Sequence, residues 1–517
     1  MLGGRGVRKR QKRLMALRLT AVSSIPNHWM LALVLGLALA IRLSFFLPHY
    51  QASDVLKSYA PAGHQILTGE YQPGAEYDYV WFSPIRLGVV VPVAALTELF
   101  GYSLPHLSIY PLICSILTLL FVYGIGLRLE RQFPHAALLS VLFAALYPLL
   151  VTQAPQMLPD TPRTLFATAA VYFFVRSREN DYDRFNLMAC GFAIGLSYLC
   201  QIQVFFLLPG VAVWLVFRRE VRVRQLYALV GIAIAILLET VVLSIASGQL
   251  FLRLSALFAS AQDVDDVWVH YPGISRYIPG YWEAFVSPGT SYFVLHGVSG
   301  WIGMAAVIWA FAIRQPLLLL LALCWVSDSA VLNFSPMPSI ETRYLLAGIP
   351  LLCVLAGALL ARMMPNRAFS VIAAIMLLVS SMGGSWLYRM TYVATSDAYE
   401  SAASWLDAYP ALREGRLYVT PTLEAFVRHA AEYDIDLVYS KAGGDYAGAP
   451  PEYALCLFTG YYAREDLPDQ VCTCSMEPLE RLQTGSPELT RLMGRYRPKI
   501  GFEAELVLYR LADCSGS

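Results

Sequence analysis

Charge is scarce in this chain, and the common signatures of soluble enzymes are missing. Asp, Glu, Lys and Arg make up 15% of its 517 residues, against about 25% in an ordinary soluble domain. The formal net charge is +1, which excludes the strongly basic footprint of a nucleic-acid binder. There is no HExxH, no phosphate-binding P-loop and no dinucleotide glycine fingerprint. The 8 histidines are scattered. No internal repeat is visible, and few ionisable residues fall inside apolar runs; Glu239 and Asp328 sit near the ends of theirs. The charged mid-membrane path of a transporter is therefore largely lacking.

What the chain has instead is hydrocarbon. Hydrophobic residues make up 57% of it, and its mean hydropathy is +0.52. The basic start, MLGGRGVRKRQKRLMALR, precedes an apolar run of about 20 residues, the length of a membrane span. That run lacks the short core and small-residue cleavage site of a signal peptide, so it reads as a retained span with a cytoplasmic N-terminal tail, residues 1–28. Residues 84–100, PIRLGVVVPVAALTELF, are apolar, but Pro84, Arg86, Pro92 and Glu98 make them a poor span. Charge decides the matter. If this segment crossed, the later arginine clusters would fall outside; if it lies along the interface, RLERQ, RSRENDYDR, RREVRVR and RMMPNR all stay inside.

On that basis spans are expected at 29–48, 107–127, 136–151, 164–175, two within 186–217 with a turn near Gln201–Gln203, and then 226–245, 293–313, 316–332, 344–361 and 369–388. The expected architecture is a polytopic α-helical membrane protein of about 11 transmembrane helices, residues 29–390, with a C-terminal soluble α/β domain, residues 391–517. A first outer loop with its interfacial helix covers 49–101, and a long outer loop covers 248–290. Five of the 9 cysteines lie in apolar runs, where they read as small buried hydrophobes. The others, Cys456, Cys472, Cys474 and Cys514, lie in the C-terminal part. An even number in an exported domain favours disulfides over zinc, and Cys472 and Cys474 are too close for an unstrained bond to each other.

Charged residues on the outer loops converge above one face. Most read as ordinary solvated loop. Asp54 and Asp160 differ, because each stands at a span end with a proline close by, where a charge is costlier. Arg343 stands at a span mouth with Tyr344 next to it. Helix capping and interfacial anchoring are the structural alternatives for these three.

The order of these segments resembles a known family. SDVLKSYAPAGHQILTGEY opens the first loop, SPIRLG and ELFG flank the interfacial segment, QMLPDTPRTLF follows two spans later, and ETRYLLAGIPLL stands at a later span mouth. Together they resemble the GT-C fold membrane glycosyltransferases, in the branch of the protein O-mannosyltransferases and the lipid A aminoarabinose transferase. Many members carry an Asp-Glu pair in the first loop; here Asp54 is followed by Val55. The resemblance implies inverting transfer of a sugar from a polyprenyl-phosphate donor to a lipid, glycan or protein acceptor at the outer face. It makes Asp54 the candidate base and Asp160 an orienting or hydroxyl-binding carboxylate. Arg343, Tyr344, Arg86, Arg276 and Arg163 become candidates for the phosphate. Some members use a divalent cation, for which this sequence offers too few clustered ligands. The prenyl chain is expected between spans near the interfacial helix, with loop 248–290 as a lid. Short length and a composition rich in Ala and Arg point to a bacterial inner membrane with a periplasmic site. The competing readings are a lipid-linked saccharide transporter or flippase, a non-catalytic membrane assembly protein, and a saccharide polymerase or ligase with a lipid-diphosphate donor.

Overall fold

The computed structural model describes residues 27–48, 50–51, 55–71, 85–101, 103–179, 181–253, 255, 291–334, 342–364 and 367–414. In the C-terminal part it describes 417–420, 423, 426–427, 430, 437–438, 452–458, 475–485 and 503–512. The apolar runs are helical, as their composition requires: backbone groups in hydrocarbon must be satisfied within the segment. In chain order they are α1 (Asn27–Ser44), α2 (Ala60–Thr68), α3 (Leu87–Phe100), α4 (Ile109–Gly126), α5 (Ala136–Leu146), α6 (Asp160–Glu179), α7 (Arg184–Cys200), α8 (Leu208–Arg218), α9 (Leu226–Ser247), α10 (Ser291–Ile313), α11 (Pro316–Phe334), α12 (Ile349–Met363) and α13 (Arg367–Ala408). Four stretches among the described residues are long and apolar enough to cross a membrane alone: Leu104–Gly126, Val223–Ser247, His296–Ile313 and Arg343–Met363.

Breaks between helices have local causes. Gln201 is extended (φ −164, ψ 134), which parts α7 from the 3-10 turn Ile202–Leu207 where the sequence predicts the hairpin turn. Gly248 caps α9 in the left-handed region (φ 70), a conformation glycine adopts without a Cβ penalty. The arginine-rich loops meet at one end of the bundle. Arg128 Nε lies 3.3 Å from Glu179 Oε1, Arg178 Nε 2.8 Å from Glu220 Oε2, and Arg224 Nη1 2.9 Å from Asp181 Oδ2.

The central helix is α12, walled in by α4, α5, α10 and α11 in one continuous apolar core. Small residues set the tightest contact, between α7 and α9. A Cβ on Gly191 would lie 1.8 Å from the Ala228 carbonyl oxygen, so the two backbones touch in the manner of small-residue membrane interfaces. Gly191→Val is expected to force these helices apart at a cost of roughly 1–3 kcal/mol. A lower melting temperature in detergent would register it, and an unchanged melting curve would contradict the close approach.

The 42-residue α13 is about 63 Å long at 1.5 Å per residue, and it runs through residues 390 and 391 without a break. It leads into a five-stranded sheet of order β2-β1-β3-β5-β4, formed by β1 (Leu417–Val419), β2 (Leu437–Val438), β3 (Tyr453–Phe458), β4 (Ser475–Gly485) and β5 (Glu503–Ala512). Strands β2, β1 and β3 are parallel, while β5 pairs antiparallel with β3 and β4. The sheet shares a core with the first loop: Val55, Tyr59, Val89 and Val93 belong to one buried cluster with Leu417, Leu455 and Leu508. The C-terminal part therefore rests on α2 and α3, at the end of the bundle away from the arginine loops. Cys456 is buried on β3; Cys472, Cys474 and Cys514 lie outside the described residues.

Candidate active site

The site is built where the Thr342–Gly348 turn meets the first turn of α6. Asp160 opens α6, where a carboxylate suits the positive helix terminus, and Thr164 Oγ1 donates to the Asp160 carbonyl at 2.6 Å. Three residues on, Arg163 lies on the same helix face, and its Nη2 is 3.6 Å from Asp160 Oδ1. Both side chains are buried, Asp160 at 1% exposure and Arg163 at 0%. A buried ion pair needs its remaining polar atoms engaged. Arg163 donates Nη2 to the Tyr344 carbonyl at 2.7 Å and Nη1 to Gln203 Oε1 in a short bond. Its own carbonyl accepts from Ser197 Oγ at 2.9 Å.

Arg343 comes from the 3-10 turn that precedes α12. Its Nε lies 3.9 Å from Asp160 Oδ2, and its guanidinium sits 5.6 Å over the Tyr344 ring. Arg86, at the start of α3, donates to the Tyr59 hydroxyl. Burial alone would lower the Arg86 pKa, but Tyr59, Tyr344 and Asp160 outweigh it and hold the guanidinium above its ordinary value. It is therefore firmly charged. Three guanidiniums thus gather around Asp160. Beneath them Asp328, on α11, is 1% exposed and within electrostatic reach of Arg163. A Cβ on Gly348 would come 3.0 Å from Asp328 Oδ2, which explains a glycine at that turn.

The chain on either side of Asp54 is fastened to the same place. Gln51 is buried, donates to Ser108 Oγ at 2.9 Å and to the Pro155 carbonyl at 3.2 Å, and accepts from the Met157 amide at 2.9 Å. Val55 packs in the cluster that contains Met157 and Leu158, just ahead of Asp160. Asp54 and Arg276 themselves lie outside the described residues, as do 256–290 of the long loop.

Of the residues singled out in the sequence, Asp160, Arg163, Arg343, Tyr344 and Arg86 are brought together. Tyr59, Gln203, Gln51 and Asp328 complete the cluster. Gln203 carried a signal, being polar within an apolar run; Tyr59 carried none. Two carboxylates under three guanidiniums favour an anion over a divalent cation. Among the described residues no group of three His, Cys, Asp or Glu side chains is placed to hold a metal ion.

Residues 91–245 match the dolichyl-phosphate-mannose-protein mannosyltransferase family. The crystal structure of ArnT from Cupriavidus metallidurans in the apo state is similar over 93% of this chain and 98% of its own, with a TM-score of 0.57 at 12% identity. The same protein bound to undecaprenyl phosphate matches over 94% and 99%, with a TM-score of 0.57 at 15% identity. The chain has the GT-C membrane fold of these proteins. The oligosaccharyltransferase of Archaeoglobus fulgidus, in complex with zinc and sulfate, is similar over 82% of this chain and 67% of its own, with a TM-score of 0.51 at 13% identity. No curated protein matches this chain by sequence.

The chain also holds an apolar cleft of about 250 Å³ between α6, α7, α8, α9 and α11. It differs from the expected prenyl groove in position. None of its lining residues comes from α3, because α3 packs on α2 and on the far end of α7 instead.

Proposed function

We propose that this chain is a glycosyltransferase that moves a sugar from a polyprenyl-phosphate donor to an acceptor hydroxyl, with inversion, at the end of the bundle that carries Asp160. The observation that supports it is the cluster of Arg86, Arg163 and Arg343 around one carboxylate at a span mouth. An anionic phosphate at headgroup level is the group such a cluster suits.

The step is a single displacement. The acceptor oxygen attacks the anomeric carbon, the bond from that carbon to the phosphate oxygen breaks, and the acceptor proton passes to Asp54 as general base. Polyprenyl phosphate departs with the bonding pair. Phosphate is already a good leaving group, so one carboxylate suffices where glycoside hydrolysis uses two. Arg343 and Arg86, both half-buried, neutralise the departing charge. Arg163, wholly buried behind them, holds Asp160 and the Tyr344 backbone in register. ArnT binds undecaprenyl phosphate, which agrees with this donor class. The arginine loops at the opposite end are the cytoplasmic side by the positive-inside rule. The site and the C-terminal sheet then face the periplasm of a bacterial inner membrane.

Membranes carrying the protein, given labelled polyprenyl-phosphate sugars and cell-envelope extract, are expected to transfer label to an acceptor and release polyprenyl phosphate. Failure with every donor, together with movement of a lipid-linked saccharide across vesicles, would replace this reading with the transporter. Arg343→Gln is expected to lower kcat/KM for the donor roughly 10–100-fold, the loss of one or two charge-assisted hydrogen bonds. Initial rates against donor concentration would read it, and an unchanged value would remove Arg343 from the phosphate site.

A further inference from the structure

At the end of the bundle opposite Asp160, the apolar cleft ends beside a polar recess. The recess, about 480 Å³, is lined by Arg178, Glu179, Asp181, Tyr182, Glu220 and Arg222. Their linings touch through side-chain contacts. Gln225 lines the cleft, donates Nε2 to the Glu220 carbonyl at 3.0 Å, and accepts from the Arg222 amide at 3.2 Å. Phe174, also in the cleft wall, meets the rings of Tyr182 and Trp214 at 6.4 and 6.2 Å. The Arg178 guanidinium lies 5.0 Å over that same Trp214 ring.

The cleft also opens sideways. Ala212 on α8 and Leu229 on α9 line it and are exposed, so a chain in the surrounding hydrocarbon can enter between these helices. Its other end stops below Gln203, which is committed to Arg163; Val204 is the lining residue next to it. Cleft and active site are thus separated by a buried polar layer.

The recess has a sign. Its acidic groups are already matched: Glu220 to Arg178 and Tyr182, Asp181 to Arg224, and Glu179 to Arg128. Arg222 lines the recess, and no ion pair holds its guanidinium among the described residues. Arg218 shares Glu220 with Arg178, its Nε 3.8 Å from Oε1, and Arg219 beside it is exposed, so the arginines here outnumber the acids. Surplus positive charge beside an apolar cleft that opens to the bilayer is the combination that recognises an anionic headgroup with its acyl chain.

We propose that cleft and recess together hold one anionic glycerophospholipid of the leaflet facing away from the active site. One acyl chain fills the space between α8 and α9, and the phosphate lies against Arg222. The lipid closes a gap that neither helix fills, since α9 packs on α7 while α8 packs on α11.

The test is native mass spectrometry of the full chain, purified in detergent and offered equal amounts of phosphatidylglycerol, phosphatidylethanolamine and undecaprenyl phosphate. One phosphatidylglycerol per chain is expected, retained about tenfold over phosphatidylethanolamine. Arg222→Glu should remove that preference, and Ala212→Trp, which plugs the lateral opening from a lipid-facing position, should lower retention of both phospholipids. Melting temperatures of the two variants would be matched to the parent first. Equal retention of the two phospholipids, or retention untouched by Ala212→Trp, would overturn the proposal. So would displacement of phosphatidylglycerol by undecaprenyl phosphate, which would assign the cleft to the donor's chain.

Discussion

Asp54→Asn is expected to abolish sugar transfer in membranes that contain normal amounts of the protein. The amide matches the carboxylate in size but cannot take the acceptor proton. Loss of a general base costs about 10²–10⁴ in rate, enough to put turnover below detection in a membrane assay. The neighbours of Asp54 carry the structural load here. Gln51 holds the segment before Asp160, and Val55 packs in the core below, so the substitution should leave folding intact. Asp160→Asn is the comparison. If Asp54→Asn keeps turnover while Asp160→Asn loses it, the enzyme reading stands and the base moves to Asp160. If neither changes the rate, proton removal by a carboxylate is wrong.

Arg163→Met is expected to damage the fold rather than the chemistry alone. Arg163 is 0% exposed and joins three segments at once: α6 through Asp160, the turn before α8 through Gln203, and the turn before α12 through the Tyr344 carbonyl. Removing one partner of a buried ion pair costs roughly 3–5 kcal/mol, because the other charge stays buried. A sharply lower melting temperature and poor recovery from membranes would show it. The mechanism has its own check. The double variant Arg163→Met with Asp160→Asn removes both charges and should recover part of the lost stability. A double variant no more stable than the single one would mean that the hydrogen bonds, and not the charge pair, dominate.

The two substitutions probe different levels of what a sequence reveals. The apolar runs were legible because hydrocarbon imposes a local rule: a run of sufficient length must be a helix, whatever surrounds it. For the same reason the turn at Gln201 fell where two polar residues interrupt an apolar stretch. Asp160 and Arg163 could be paired from spacing, since three residues bring side chains to one helix face.

Convergence over long distances was not legible in the same way. Arg163 and Tyr344 are 181 positions apart, yet one donates to the backbone of the other. That contact depends on how α6 packs against the turn before α12, and helix packing follows from side-chain volumes across whole faces rather than from any motif. Tyr59 as the partner of Arg86, Gln51 as the clasp beneath Asp160, and Asp328 under Arg163 are settings of the same kind. Nor does composition show that the C-terminal sheet shares a core with the first loop. The chain's own pattern determined a helical membrane protein with its arginines at one end and its acidic span mouths at the other, because burial in hydrocarbon acts residue by residue. Tertiary packing decided which of those charges meet, because a buried ion pair is stable only where several segments supply its remaining hydrogen bonds together.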